Sequence, residues 1–252
     1  MTTPRAAQQA FVLVHGAWHG GWCYRDVAAL LRARGHLVFT PTLTGLGERS
    51  HLRGAPVNLT THIDDIANVM LWEDLSDVVL VGHSYGGMVV TGVADRMPER
   101  ISRLVYLDAF VPQADGDSMN SLYPATGAGI AHMVALDGLT VPAPPPELFA
   151  VTPEKREWVA SKCVGQPFAC LLQQIQLSGR FKEVEHRRYV LATGWGAREA
   201  PSPFRGFYDR FAGDPTWEVR SINTGHDVMV DDPAATAELI ESPPGEPQGL
   251  PI

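Results

Sequence analysis

Apolar blocks about four residues long recur at wide intervals in this chain: Phe11–Val14, Val78–Val81, Leu104–Leu107 and Tyr189–Ala192. Unbroken apolar runs of that length predict strands buried on both faces. His36–Thr40 and Trp217–Ile222 read as two more strands. Between the blocks the period lengthens. Val27, Leu30 and Leu31 make a helical stripe that stops at Gly35. Thr61 to Asp64 resembles a helix cap with a carboxylate three residues on, opening a helix to about Leu75. Met88–Arg96 continues helically toward Arg100, Pro203–Ala212 follows the same period, and a last helix runs from Asp232 or Pro233 to Ile240 with proline in its first turn. Strands alternating with helices imply an α/β fold, a mostly parallel sheet flanked by helices on both faces.

The alternation fails from Phe110 to about His186. Pro112, Pro124, Pro142 and Pro144 to Pro146 interrupt it, and only Pro153–Lys162 and Phe168–Leu177 read as helical. This stretch still carries large apolar side chains, so it is an insertion rather than a linker. The expected organisation is a core of residues 1–109 and 187–241, a lid of 110–186, and a flexible Pro/Gly tail of 242–252.

Candidate chemistry clusters at strand ends, where open parallel sheets bind ligands. Gly82-x-Ser84-x-Gly86 follows the second apolar block and precedes a helix. That context makes it a nucleophile elbow, in which small residues two before and two after the serine relieve a crowded turn. His226 follows the last strand and is the candidate base, since imidazole titrates near neutrality. Asp108 ends the strand after the elbow helix and is the candidate acid orienting that base. Glu199 is the alternative, beyond a turn, Thr193 to Arg198, that holds no carboxylate. Backbone donors for an oxyanion are expected from Tyr85, after the serine, and from Ala17 in His15-Gly16-Ala17-Trp18. His83 reads as packing. Gly16, Trp18, Tyr123, Phe149, Trp158, Phe168, Leu171 and Trp195 are candidates to line a substrate pocket.

Charge and cysteine content narrow the partners. With 252 residues, 45% of them apolar, the chain can bury a substantial core. Its net charge of −8 and lack of basic runs argue against nucleic acid and anionic membrane. No run approaches the ~18 apolar residues of a membrane span. Cys23, Cys163 and Cys170 offer neither a disulfide framework nor a metal pair, and the leading residues lack a signal-peptide core, so a cytoplasmic location is expected. The expected partner is a small-molecule substrate; a homodimer is compatible with the sequence. No His/Cys/Asp group has metal-ligand spacing.

With these residues placed, the chain resembles the α/β-hydrolases, and within them the plant methyl-esterase and hydroxynitrile-lyase branch with its bacterial esterase relatives. The likeness rests on Phe11-Val-Leu-Val-His-Gly-Ala-Trp-His-Gly-Gly-Trp22, Gly82-His-Ser-Tyr-Gly-Gly87, Ala109-Phe-Val-Pro112 and His226-x-x-Met229. It implies a Ser-His-Asp triad, no cofactor, and a compact lid over a small apolar pocket that often accepts aromatic groups. The lyases share a threonine where this chain has Gly16 and a lysine where it has Asp227. The resemblance therefore points to hydrolysis of a small apolar or aromatic carboxylic ester through an acyl-enzyme. Carbamates, amides and lactones are alternative substrates, a hydroxynitrile lyase an alternative activity, and a non-enzymatic ligand receptor the remaining one. The departure is the missing acid after Ala192, which motivates Asp108.

Overall fold

The computed structural model describes residues 8–54, 56–122, 138–197 and 200–245. Six strands form one sheet: β1 (Ala10–Val14), β2 (Leu37–Phe39), β3 (Val78–His83), β4 (Ile101–Leu107), β5 (His186–Ala192) and β6 (Trp217–Ile222). Their order across the sheet is β6-β5-β4-β3-β1-β2, and every neighbouring pair is parallel. The apolar runs explain themselves in this setting. Val12, Val14, Val78 and Leu80 enter the core layer on one face; Phe11, Leu13, Val79 and Val81 enter the layer on the other. Successive side chains point to opposite faces, and both faces are covered, so no position in these strands can be polar without a partner.

Helices α1 (Arg25–Ala33), α2 (Leu59–Trp72), α3 (Gly86–Arg96), α4 (Pro153–Lys162), α5 (Arg205–Ala212) and α6 (Pro233–Glu241) follow the expected places. Some limits differ: α3 opens at Gly86 and stops at Arg96, ahead of Pro98, rather than reaching Arg100, and α5 opens at Arg205 rather than Pro203. Helix α2 starts two residues before Thr61, because Asn58 is the cap: its side chain accepts from Thr61 N–H, and the Thr61 hydroxyl accepts from Asn58 N–H. The expected helix over Phe168–Leu177 shrinks to one turn, Ala169–Leu172. Gln173 leaves it to bond Thr60 on α2, and Ile175 exchanges backbone bonds with Gly116 and Asp117, so tertiary pairing overrides local helix preference. The stretch between β4 and β5 also holds a two-stranded ribbon, Thr140–Val141 with Gln166–Pro167.

That stretch is tied back to the sheet's carboxyl edge. Trp18 N–H donates to Gln166 Oε1, Trp18 Nε1–H to the Val141 carbonyl, and Val164 N–H to the Trp18 carbonyl, all at 3.0 Å. The three cysteines are free. Among the described residues, no helix is long and apolar enough to cross a membrane.

Candidate active site

Five strand ends in a row deliver the candidate groups: His226 after β6, Trp195 after β5, Asp108 after β4, Ser84 after β3, and His15 to Trp18 after β1. Three of these residues have left-handed backbone: Ser84 (φ 52°), Asp108 (φ 43°) and Trp18 (φ 65°). Such geometry costs on the order of 1–3 kcal/mol per residue and persists only where the surroundings enforce it. Here neighbouring strands do so. Ser84 N–H donates to Leu107 O, Phe110 N–H donates to Ser84 O, and Asp108 N–H donates to Val190 O at 2.7 Å. The elbow is crowded as its sequence implies: a Cβ on Gly82 would lie 2.7 Å from the Gly86 carbonyl oxygen, and one on Gly86 would lie 2.8 Å from the carbonyl oxygens of Val14 and His15.

Asp108 is fully buried and its carboxylate is enclosed by donors. Oδ1 accepts from Ala192 N–H at 3.1 Å; Oδ2 accepts from Trp195 Nε1–H at 2.8 Å and from His226 Nδ1 at 2.7 Å. Burial pushes its pKa up, and the bonds from His226, Ala192 and Trp195 pull against that rise. A proton on Nδ1, required by this bond, leaves Nε2 as the basic atom of His226. His226 must lean across β5 to reach Asp108. The lean is held by His226 N–H on the Phe149 carbonyl, by Gly194 N–H on the Thr224 carbonyl, and by His83 Nε2–H on the His226 carbonyl. Phe204 stacks on the His226 ring at 5.0 Å, with Trp195 at 4.8 Å and Phe149 at 5.2 Å.

The β1 loop is fixed by neutral histidine. His15 Nδ1–H donates to Gly16 O and its Nε2 accepts from Leu43 N–H; burial holds its pKa down at about 3. Tyr85 OH donates to His62 Nδ1, and His62 Nε2–H donates to Thr44 O, with the ring's pKa lowered by burial to about 4. Both loops flanking Ser84 are thus anchored from behind. Among the described residues, neither Ala17 N–H nor Tyr85 N–H donates to a protein acceptor. A Cβ on Gly16 would sit 2.8 Å from His83 Nδ1 and 2.9 Å from Ser84 Cβ, so threonine does not fit there without displacing one of them.

The expected lining residues divide. Trp18 and Phe149 stand at the site, their rings 5.9 Å apart. With His19, Pro144, Pro145, Val159 and Cys163 they bound a cavity of about 200 Å³, whose lining does not include Ser84, Asp108 or His226. Trp195 is at the site too, with its indole N–H bonded to Asp108. Three others stand outside the lining of that cavity. Trp158 packs instead on Trp22 and under Arg25. Leu171 is fully buried in the core beneath α2. Phe168 lines a groove with Arg53, Pro56 and Leu139, drawn there by its N–H bond to the Leu139 carbonyl. Tyr123 and Glu199 lie outside the described residues. Folding also gathers His83, His226 and Asp227 with ligand atoms within 4.8 Å, a cluster invisible in sequence spacing. Asp227 is bonded there to His19 and His226 to Asp108, so both already have a partner outside the cluster. Sequence reading took His83 as packing and gave Trp195 no polar role. Neither signal is local, since each side chain acts on a residue more than 80 positions away.

The sequence signature of the Alpha/beta hydrolase family matches residues 11–239. The chain belongs to that family. It is 52% identical over 241 residues to a carbendazim hydrolyzing esterase of Nocardioides sp. (strain SG-4G), covering 91% of this chain and 97% of the relative. Methylesterase 2 of Arabidopsis thaliana is 38% identical over 116 residues, 42% of this chain and 41% of its own. Among solved structures, an extracellular alpha/beta-hydrolase from a Paenibacillus species, described as sharing structural and functional homology with tobacco salicylic acid-binding protein 2, superposes with a TM-score of 0.80 at 25% identity over 92% of this chain and 97% of that one.

Proposed function

We propose that this carboxylic-ester hydrolase works through Ser84 as nucleophile, His226 as base and Asp108 as the acid that orients it. The observation carrying the reading is the 2.7 Å bond from His226 Nδ1 to a buried carboxylate on the strand next to the serine's own. Ser84 Oγ attacks the ester carbonyl while His226 Nε2 takes its proton. Negative charge collects on the carbonyl oxygen, facing the N–H groups of Ala17 and Tyr85. Asp108 holds the imidazole in the required tautomer and stabilises the imidazolium. The imidazolium then protonates the departing alcohol, leaving an acyl-Ser84. Water, deprotonated by the same Nε2, attacks the acyl carbon and releases the carboxylic acid.

The substrate is a small ester with an apolar or aromatic group, for which the paired rings of Trp18 and Phe149, the latter 5.2 Å from that of His226, offer an apolar wall. The described part of 110–186 acts as its roof, since Val141, Val164 and Gln166 hold Trp18 in place. A carbamate is the second reading. The 52% identical relative is named for carbendazim, a methyl carbamate on a flat benzimidazole, and the same acyl-transfer chemistry cleaves both bonds. Cyanohydrin cleavage is disfavoured. Asp227 puts negative charge beside His226, where a departing cyanide needs positive charge. The test is hydrolysis of p-nitrophenyl acetate by the wild type and Ser84→Ala. Loss of about 10⁵-fold in kcat is expected; equal turnover refutes the reading. Tight binding of aromatic esters without turnover would show a receptor instead.

A further inference from the structure

A second His–Asp pair lies behind the first. His19 Nε2 stands 3.0 Å from Asp227 Oδ2, and His19 Nδ1 stands 2.7 Å from the Ala17 carbonyl oxygen. Both residues are buried, His19 at 3% exposure and Asp227 at 0%. Both ring nitrogens face an acceptor, and a histidine can satisfy two acceptors only by carrying a proton on each. With Asp227 held ionised by the facing His19, the pair is an imidazolium and a carboxylate. It also spans two functional loops. His19 grips the carbonyl of Ala17, whose N–H is assigned above to the oxyanion, and Asp227 is the residue after His226. The two loops are 208 positions apart in sequence, and this is the charged contact that joins them.

We propose that the His19–Asp227 pair is a positioning device that sets the Ala17 amide against the His226 turn, so that the oxyanion donor and the base hold a fixed separation. This inference rests on the Ser84–His226–Asp108 reading. The surroundings keep the pair rigid. Trp22 stacks on the His19 ring at 5.2 Å, and His83 meets its edge at 6.2 Å. The other ionisable groups around the pair are His15, His83 and His226 and the thiols of Cys23 and Cys163. Burial and Asp227 repel ionisation of both thiols, whose pKa values are raised, and burial holds His15 and His83 neutral. Burial alone would also discharge His19, but Asp227 and the Ala17 carbonyl outweigh it and raise its pKa. Burial opposes the charge on Asp227 too, and the facing His19 imidazolium overcomes it, taking the carboxyl far below its usual range.

A positioning role and a merely structural one predict different things. Removing one partner strands a buried charge and threatens the fold, whereas replacing both with leucine removes the charge and the stranding together. The test compares Asp227→Asn, which keeps shape and hydrogen bonding but removes the charge, with the double variant His19→Leu/Asp227→Leu. In p-nitrophenyl acetate hydrolysis, kcat is expected to fall about tenfold in the first and roughly 100-fold in the second, with KM within about twofold of wild type. Affinity for an aryl trifluoromethyl ketone, which places a tetrahedral oxyanion on Ser84, should fall in step with kcat. Wild-type kcat in the double variant, or a loss carried wholly by KM, overturns the proposal. If the double variant does not fold, ¹⁵N-histidine NMR of the wild type decides: His19 should keep protons on both nitrogens at a pH where an ordinary imidazole has lost one, and a singly protonated ring overturns it. An inactive Ser84→Ala beside fully active pair variants would remove this inference alone and leave the nucleophile assignment standing.

Discussion

The two ends of the sheet both bury charge, and they bury different kinds. At the amino end, Arg188 lies wholly inside and gives its guanidinium to Glu218, the Leu239, Ser242 and Pro243 carbonyls and the Ser242 hydroxyl. Arg103 bonds the carbonyls of Glu241 and Ser242 beside it, its pKa lowered by burial and by Arg188 to about 10, still charged at neutral pH. These cations cap the last carbonyls of α6 and never change state. At the carboxyl end the buried groups are histidines and aspartates, four of them in two pairs. Backbone strain follows the same division. The left-handed residues near the amino end are Asp74 and Asp77, exposed aspartates of a type that tolerates that geometry. Those at the carboxyl end are Trp18, Ser84 and Asp108, inside the site, and Ala150, beside Phe149 and the turn at Gly225. One end of each strand fixes the fold, and the other holds strained, titratable groups in register. A strand of five to seven residues separates them by roughly 20 Å.

That separation can be broken by substitution, and the largest effect belongs to the acid. Asp108→Asn leaves the volume and one acceptor but no longer selects the Nδ1–H tautomer of His226. A fall in kcat on the order of 10⁴-fold is expected with the melting temperature little changed. Retention of most activity would move the acid to Glu199. At the opposite end, Arg188→Met should do the reverse. The Leu239 and Pro243 carbonyls lose this donor and Glu218 keeps only Arg220, at a cost of roughly 3 kcal/mol of stability by chemical denaturation. Activity per folded molecule should stay within about twofold. Wild-type stability with a depressed kcat in the Arg188→Met variant would mean that the two ends are coupled through the strands.

Much of this division can be read from the bare chain, and the reason is chemical locality. The elbow at Gly82 to Gly86 is a steric requirement written within five residues. The β3 and β4 runs are apolar on both faces because both faces are covered. Asp108 could be singled out because a carboxylate at a strand end, followed by Ala109-Phe110-Val111-Pro112, has no solvent to explain it. One local reading failed, and the other failures were long-range. Asn58 rather than Thr61 caps α2 because the capping box is read from the other side. Leu171 and Trp158 carry aromatic or aliphatic bulk that any core would accept, so composition alone could not separate wall from core. The His19–Asp227 pair joins positions 208 apart and leaves no trace in either neighbourhood.

Trp195 gives the smallest and most discriminating effect, because it stands where the turn after Ala192 lacks a carboxylate. Its indole N–H bonds the Asp108 oxygen that also accepts from His226, and its ring packs on His226. Trp195→Phe keeps the ring and deletes the donor. Burial raises the Asp108 pKa and the indole bond opposes that rise, so losing the bond lets it rise further. The acid limb of the kcat/KM profile should therefore move to higher pH. At its plateau kcat should drop roughly tenfold, about 1.4 kcal/mol, close to the worth of one hydrogen bond to a charged group. KM for a small acetate should not move, because the ring contact survives. A change in KM with an unshifted acid limb would make Trp195 a pocket wall and nothing more; a shifted limb with KM constant makes the indole after β5 the substitute for the carboxylate that its turn does not carry.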